Sequence, residues 1–217
     1  MNIKNNVMQV NQQIEALHPK QRVHIVAATK YVNQEIVEEL VDNGIHIMGE
    51  NRAESLLEKK QKMKRLVKWH LIGTLQSRKV RDVINEIECL HSLDRLSLAK
   101  EINKHRQDRL DCFIQVNVSG EESKHGIHPD ELQPFIKQLK QYDKINVIGL
   151  MTMAPNTEDQ QLVRSCFSRL RELQEQIQAE EISYAPCTEL SMGMSNDYNI
   201  AIEEGATYIR LGSVLFQ

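Results

Sequence analysis

The alternation of short apolar segments with longer helical segments is the feature that most restricts how this chain can fold. Short, β-branched apolar segments begin near residues 23, 45, 67, 88, 111, 145, 188 and 207. Segments with the 3.6-residue periodicity of a helix accompany them, at residues 34–42, 52–63, 79–85, 96–107, 130–141, 159–179 and 197–204. Most strand onsets recur after about 22 residues, which is close to the length of one strand–helix unit. No neighbouring pair of strands has the short connection of a hairpin.

Eight such units predict an α/β fold, namely a single-domain (β/α)8 TIM barrel over residues 1–217. Each parallel connection needs a crossover helix, and eight strands can close into a barrel that side chains fill completely. A doubly wound open sheet is the structural alternative. Residues 2–17 carry apolar side chains at helical spacing, which predicts an extra helix packed across the barrel.

Composition narrows the class of protein. The chain has 217 residues, of which 41% are hydrophobic, so one domain of substantial size can form. The formal charge of −3 argues against a nucleic acid partner, and no apolar run approaches the ~18 residues that would span a membrane. The four cysteines lack the spacing of a zinc motif, and His125 and His128 have no third ligand nearby, so we predict no metal site. We expect a cytoplasmic monomer with reduced cysteines.

The residues that follow each strand are the candidates for function, because the active site of a parallel barrel lies at the carboxyl ends of its strands. Lys30 follows the first strand, where it is either a surface lysine or an imine-forming lysine. Strand 7 is followed by SMGMSND at residues 191–197, and strand 8 by Gly212 and Ser213. These two loops often hold phosphate in barrel enzymes, although serine and glycine also cap helices and form turns. With Lys30 across the same opening, the two loops predict a phosphate site.

Arg210 lies two residues before Gly212 in an apolar strand, so its side chain should point into the barrel near the same end. A buried arginine needs an acceptor, which a structural salt bridge would supply. The alternative interpretation is that pyridoxal 5′-phosphate (PLP) places its aldehyde on Lys30, its phosphate at strands 7 and 8, and its ring nitrogen at Arg210. A charged guanidinium there would disfavour protonation of that nitrogen and weaken the cofactor as an electron sink.

Three further polar side chains near strand ends are less specific indicators of function. Asn51, after strand 2, could contact the cofactor ring or cap the following helix. His70, within strand 3, is interpreted as a hydrogen-bonded core histidine rather than a catalytic one. Tyr31 directly follows Lys30 and is either a loop aromatic or a second proton carrier.

Seven strand-end segments, taken in order, form a recognisable set: AATK, MGENRAES, KWHLIGTLQSRK, IQVNVSGEESKHGI, VIGLMTMAP, ELSMGMSND and YIRLGSVLF. From about Val23 to Phe216 they resemble the YggS/PROSC family of pyridoxal phosphate homeostasis proteins. The resemblance implies a fold type III barrel, similar to the N-terminal domain of alanine racemase, with PLP on Lys30. Ser213 stands where the family commonly has threonine, a change that keeps the hydroxyl group.

The resemblance also implies roles for individual residues. By motif, the phosphate of PLP would be held by Ser191, Gly193, Gly212 and Ser213. Arg210 would face the ring nitrogen, and Asn51 would lie beside the ring. Lys124 resembles a lysine proposed to assist transfer of the cofactor.

The function implied is that of a PLP carrier with no assigned reaction and no catalytic residue. Such a protein holds PLP as a reversible Schiff base on Lys30 and buffers it or delivers it to the apo-forms of PLP-dependent enzymes. One alternative is a small fold type III amino-acid racemase, whose usual second base is a tyrosine from a separate β-domain that 217 residues do not supply. Another is an aldolase that uses Lys30 without a cofactor and binds its substrate at the phosphate loops.

Overall fold

Eight parallel strands form a closed barrel in the computed structural model, which describes residues 2–121 and 125–217. Each strand pairs with the next along the chain, and the last pairs with the first. The strands are β1 (His24–Ala28), β2 (Ile47–Glu50), β3 (Lys68–Leu71), β4 (Cys89–Leu93), β5 (Leu110–Gln115), β6 (Ile145–Met151), β7 (Glu189–Ser191) and β8 (Tyr208–Leu211). The predicted (β/α)8 barrel is confirmed, and the open-sheet alternative is wrong.

Helices connect the strands and surround the barrel. They are α1 (Ile3–Ala16), α2 (Gln34–Asp42), α3 (Ala53–Lys62), α4 (Val80–Val83), α5 (Leu96–His105), α6 (Leu132–Leu139), α7 (Gln160–Gln178), α8 (Tyr198–Glu203) and α9 (Ser213–Phe216). Most match the predicted segments to within two residues. The exception is 79–85, where only one short α-helix forms between two 3₁₀ turns; β-branched residues, which lose side-chain freedom in a helix, are frequent there.

Local sequence explains where α2 and α7 begin. Asn33 Oδ1 accepts a hydrogen bond from the Ile36 N–H at 3.1 Å and caps α2. Asp159 Oδ1 accepts from the N–H groups of Gln161 and Leu162, at 3.0 and 3.1 Å, and caps α7. Both side chains satisfy backbone donors that the first helical turn leaves without a partner.

The main hydrophobic core lies between the helices and the outer face of the barrel, and α1 contributes Ile3, Val7 and Val10 to it. Aromatic and polar side chains fill the barrel interior. The Phe113 ring centre lies 4.5 Å from that of His91 and 5.3 Å from that of Tyr208. Because Tyr208 precedes Arg210 by two residues on β8, this aromatic layer supports the carboxyl end of the barrel from below. Among the described helices, none combines the length and apolar character needed to cross a membrane.

Candidate functional site

A cavity of about 1200 Å³ opens at the carboxyl ends of β1, β6, β7 and β8. Five residues singled out from the sequence line it: Lys30, Tyr31, Arg210, Gly212 and Ser213. The remaining walls come largely from residues 154–158, after β6, and 194–197, after β7. The barrel therefore brings together an amine, a guanidinium and two loop segments that lie far apart in sequence.

Lys30 is exposed in the turn that follows β1. Its Nζ lies 4.6 Å from the centre of the neighbouring Tyr31 ring, which is within the range of a cation–π contact. Tyr31 itself is 86% exposed, so it forms part of the rim of the cavity and is not packed in the core. The lysine amine is thus accessible to a ligand that enters from solvent.

An ion pair between a partly buried lysine and a buried carboxylate fixes the backbone immediately before Lys30. Lys59 Nζ donates to the carbonyl oxygen of Thr29 and to Glu50 Oε1, each at 2.5 Å. The Thr29 hydroxyl donates to the same carboxylate oxygen at 2.6 Å, and Glu50 is fully buried. Removing Lys59 would leave this carboxylate without its charged partner, which is costly inside a protein. The pair therefore anchors the turn that presents Lys30.

Arg210 is buried, and the structure supplies neutral acceptors for it. Its NH1 donates to Ser191 Oγ at 2.6 Å, and its NH2 donates to the carbonyl oxygen of Thr152 at 2.9 Å. Burial lowers the pKa of Arg210 to about 10, while the nearby Asp197 carboxylate acts in the opposite direction. The guanidinium thus remains charged at neutral pH. No carboxylate among the described residues forms an ion pair with it, so the salt-bridge interpretation is not supported there.

Ser191 and Gly193 lie behind the cavity and do not line it. The Ser191 hydroxyl is fully buried between Arg210 and His91, whose Nδ1 is 2.8 Å away. Gly193 has φ +94°, and a Cβ at this position would lie 2.6 Å from the Cβ of Ala201. Its conformation and its contact with α8 therefore require glycine. The phosphate roles that the resemblance implies for these two residues stay predictions.

The loops after β7 and β8 are hydrogen-bonded to each other. Ser195 Oγ accepts from the N–H groups of Gly212 and Val214, at 3.2 and 3.3 Å. This serine lines the cavity, and it lies in the loop 191–197 that the sequence analysis predicted to hold phosphate, although it was not singled out there. The segment SMGMSND contains two serines, and Ser195, the one closer to α8, faces the cavity.

Asp197 is a second cavity residue that sequence reasoning missed. Its Oδ1 accepts from the Met194 N–H at 2.6 Å. Burial raises the pKa of Asp197, although the Met194 N–H and the charge of Arg210 oppose that shift. Helix α8 begins at Tyr198, with Asp197 at the N-cap position.

Other predicted residues lie elsewhere. Asn51 is exposed and lines a second cavity, of about 780 Å³, between the loops after β2 and β3. Its contact with a cofactor ring stays a prediction. Lys124 lies outside the described residues. His125 and His128 are exposed in the loop after β5.

His70 is buried and hydrogen-bonded within the core, as interpreted from the sequence. Its Nδ1 lies 2.9 Å from His91 Nε2, and both rings are buried. Burial lowers the pKa of His70 to about 3 and also lowers the pKa of His91, so both rings are neutral at pH 7. Cys89 completes a group whose three possible metal-ligating atoms lie within 4.8 Å of one another, a cluster that the sequence analysis did not foresee. Cys89 and His91 are two residues apart on β4, so the two-residue period of a strand could have revealed that they share a face.

Comparison with known proteins places this arrangement in a class. The family model of the alanine racemase N-terminal domain matches residues 1–217. A pyridoxal phosphate homeostasis protein of Aquifex aeolicus is 40% identical over 88% of this chain and 85% of its own length. A human protein of the same name is 33% identical over 94% of this chain and 78% of its own length.

Solved structures agree in architecture. PipY of Synechococcus elongatus PCC7942, with PLP bound, superimposes with a TM-score of 0.87 at 28% identity, covering 99% of this chain and 100% of PipY. Alanine racemase from Corynebacterium glutamicum has a TM-score of 0.75 at 14% identity, covering 99% of this chain and 60% of the racemase, and this likeness shows the fold alone.

The fold and the cavity thus define a barrel of the alanine racemase N-terminal domain class. Within that class, the chain belongs to the family of pyridoxal phosphate homeostasis proteins. The resemblance found in the strand-end segments is confirmed.

Proposed function

We propose that this protein binds PLP on Lys30 and acts in PLP homeostasis as a carrier that buffers or delivers the cofactor. The observation that carries the proposal is that Lys30 and the buried, charged Arg210 line one cavity at the carboxyl end of the barrel. The names of the relatives and the PLP bound to PipY support it.

The residues of the cavity fit PLP by their chemistry. Lys30 is an accessible amine, Arg210 donates to neutral acceptors and keeps its charge, and Ser213 contributes a hydroxyl. A Cβ on Gly212 would meet Ala28 only at 3.7 Å, so the barrel does not require glycine for space there. Glycine at that position instead leaves the backbone open to a ligand. When bound, PLP supplies an aldehyde that condenses reversibly with an amine.

Each residue then has a distinct task. Lys30 holds the cofactor covalently, and Arg210 faces the ring nitrogen and keeps it unprotonated. Ser213 and Ser195 hold the phosphate group, and Gly212, which has no side chain, leaves room for it. The loop after β6 forms the facing wall.

The proposal assigns the protein no reaction of its own. Arg210 stays charged and donates a hydrogen bond to the ring nitrogen without transferring its proton, so the site favours holding PLP over stabilising a substrate carbanion. We further propose that it works in the cytoplasm as a monomer whose partners are the apo-forms of PLP-dependent enzymes, with no membrane or nucleic acid partner.

Covalent labelling tests the central claim. The protein is incubated with PLP, reduced with borohydride, digested and examined by mass spectrometry. We expect one labelled site, at Lys30, and loss of that label in Lys30→Ala. Lys100→Ala, which removes an exposed lysine from α5, should label like the wild type. A label spread over surface lysines, or no label at all, would show that the cavity does not hold PLP.

A further inference from the structure

A chain of buried hydrogen bonds crosses the barrel interior from Arg210. It runs from Arg210 NH1 to Ser191 Oγ at 2.6 Å, from Ser191 Oγ to His91 Nδ1 at 2.8 Å, and from His91 Nε2 to His70 Nδ1 at 2.9 Å. The four residues come from β8, β7, β4 and β3, and none is more than 5% exposed. The proposed function uses only Arg210, so the other three residues need an explanation.

The direction of this chain follows from the donors and acceptors. Arginine can only donate, and each neutral imidazole has one donor and one acceptor nitrogen. In one arrangement, the Ser191 hydroxyl donates to His91 Nδ1, and His91 Nε2–H donates to His70 Nδ1. In the other arrangement, His70 Nδ1–H donates to His91 Nε2, and His91 Nδ1–H donates to Ser191 Oγ.

The first arrangement leaves fewer buried groups without partners. It uses the Ser191 hydrogen and leaves only the Nε2–H of His70 at the end of the chain. The second leaves the buried Ser191 hydrogen without an acceptor among the described residues, whereas His70 Nε2 ends the chain in both arrangements and does not distinguish them. A buried polar group without a partner is destabilising, so the first arrangement is favoured.

The direction of these hydrogen bonds determines what the Ser191 hydroxyl presents to Arg210. With its own hydrogen directed to His91, the Ser191 hydroxyl must present a lone pair to the guanidinium. Thr152 provides the second acceptor, on NH2, so two points fix the plane of the guanidinium. Without His91 the hydroxyl could rotate and turn its hydrogen toward the guanidinium.

We infer that Ser191 and His91 are positioning residues that orient Arg210 toward the cavity and thereby keep the ring nitrogen of bound PLP unprotonated. This inference rests on the proposed function, because it requires PLP on Lys30 with its ring at Arg210. It assigns Ser191 an indirect task, through Arg210, in place of a contact with the phosphate.

The first test uses the wild-type apoprotein and needs no cofactor. Nitrogen-15 NMR of the histidine side chains distinguishes protonated from unprotonated ring nitrogens. We expect His91 and His70 to be protonated on Nε2 and unprotonated on Nδ1 at pH 7. A proton on Nδ1 of His91 would reverse the chain and overturn the inference.

The second test reads the ring nitrogen of PLP labelled with nitrogen-15 and bound to the protein. In the wild type, its resonance should be that of an unprotonated pyridine. Ser191→Ala should move the resonance toward the protonated form and make it dependent on pH. The matched control is Ser92→Ala, since Ser92 is also buried but donates to the Gly73 carbonyl oxygen at 2.7 Å, outside the chain. Equal resonances in Ser191→Ala and Ser92→Ala would overturn the inference.

A second variant keeps the inference testable if Ser191→Ala fails to fold. His91→Phe removes the acceptor of the Ser191 hydrogen but keeps Ser191, so we expect a shift in the same direction and a smaller one. An unchanged resonance in this variant would also count against the inference. If borohydride labels no lysine, the proposed function fails, and the apoprotein measurement still decides the direction of the chain.

Discussion

Arg210 and Ser191 are joined by a 2.6 Å hydrogen bond between β8 and β7, the neighbouring strands with the fewest register pairs in the barrel. These strands share one register pair, Ser191 with Tyr208, whereas β8 shares four with β1. The hydrogen bond between these side chains thus adds a link between β7 and β8 next to the cavity. Because it involves a charged donor, it is stronger than a bond between neutral groups.

The first prediction concerns the phosphate site. Ser213→Ala should weaken PLP binding, because a lost hydrogen bond to a charged group costs about 1.5 to 3 kcal/mol, or roughly 10-fold to 150-fold in affinity. Ser165→Ala is the control: Ser165 donates only to a carbonyl oxygen of α7 and is exposed. Equilibrium dialysis measures both affinities. Equal dissociation constants would remove the Ser213 hydroxyl from the phosphate site.

The second prediction separates a carrier from a racemase. With PLP fully bound, exchange of the α-proton of L-alanine in deuterated water should stay near background, because the charged Arg210 keeps the ring nitrogen unprotonated and limits delocalisation. Proton NMR follows the exchange. Turnover on the order of 1 per second, lost in Lys30→Ala, would favour the racemase alternative.

The third prediction concerns the turn after β7. Gly193→Ala should destabilise the fold through an unfavourable positive φ and through the clash with Ala201. Gly44→Ala is the matched control, because Gly44 has φ +88° with nothing within 4 Å of the added Cβ. We expect about 1 to 2 kcal/mol for Gly44→Ala and an additional 1 to 3 kcal/mol for Gly193→Ala. Urea unfolding measures the difference, and equal losses would show that the packing of α8 adapts freely.

The fourth prediction concerns the stability of the fold at acidic pH. Burial lowers the pKa of His70 to about 3 in the folded protein, against 6.5 when it is unfolded, so the folded state binds fewer protons. Its contribution to stability is therefore complete above pH 6.5 and is lost as pH falls toward 3. The free energy of unfolding should decrease by about 1.4 kcal/mol per pH unit for this histidine, and His91 adds a loss of the same sign.

Urea unfolding between pH 7 and 5 measures this dependence, in a range where most carboxyl groups remain ionised. His46→Gln replaces an exposed histidine and should leave the slope unchanged. A free energy of unfolding that is constant over this range would contradict neutral, buried rings at His70 and His91.

Much of the site could be predicted because parallel barrels place function at one end. Lys30, Gly212 and Ser213 follow the first and last strands, Arg210 lies near the end of the last one, and all four line one cavity. Asn51 follows β2 but faces a different cavity, because the loops after β2 and β3 form their own opening. Which loops share a cavity depends on how they fold over the barrel, and strand order alone does not specify it.

The sequence by itself determined the order and type of the elements, because apolar periodicity and helix capping act between residues a few positions apart. It also determined which residues lie at the strand ends. Only the tertiary structure decided the partners of the buried polar groups. His91 and Ser191 are 100 residues apart, and their 2.8 Å contact exists only because the closed barrel directs both side chains inward. For the same reason, the structure alone showed that Ser195 faces the cavity while Ser191 supports Arg210 from within.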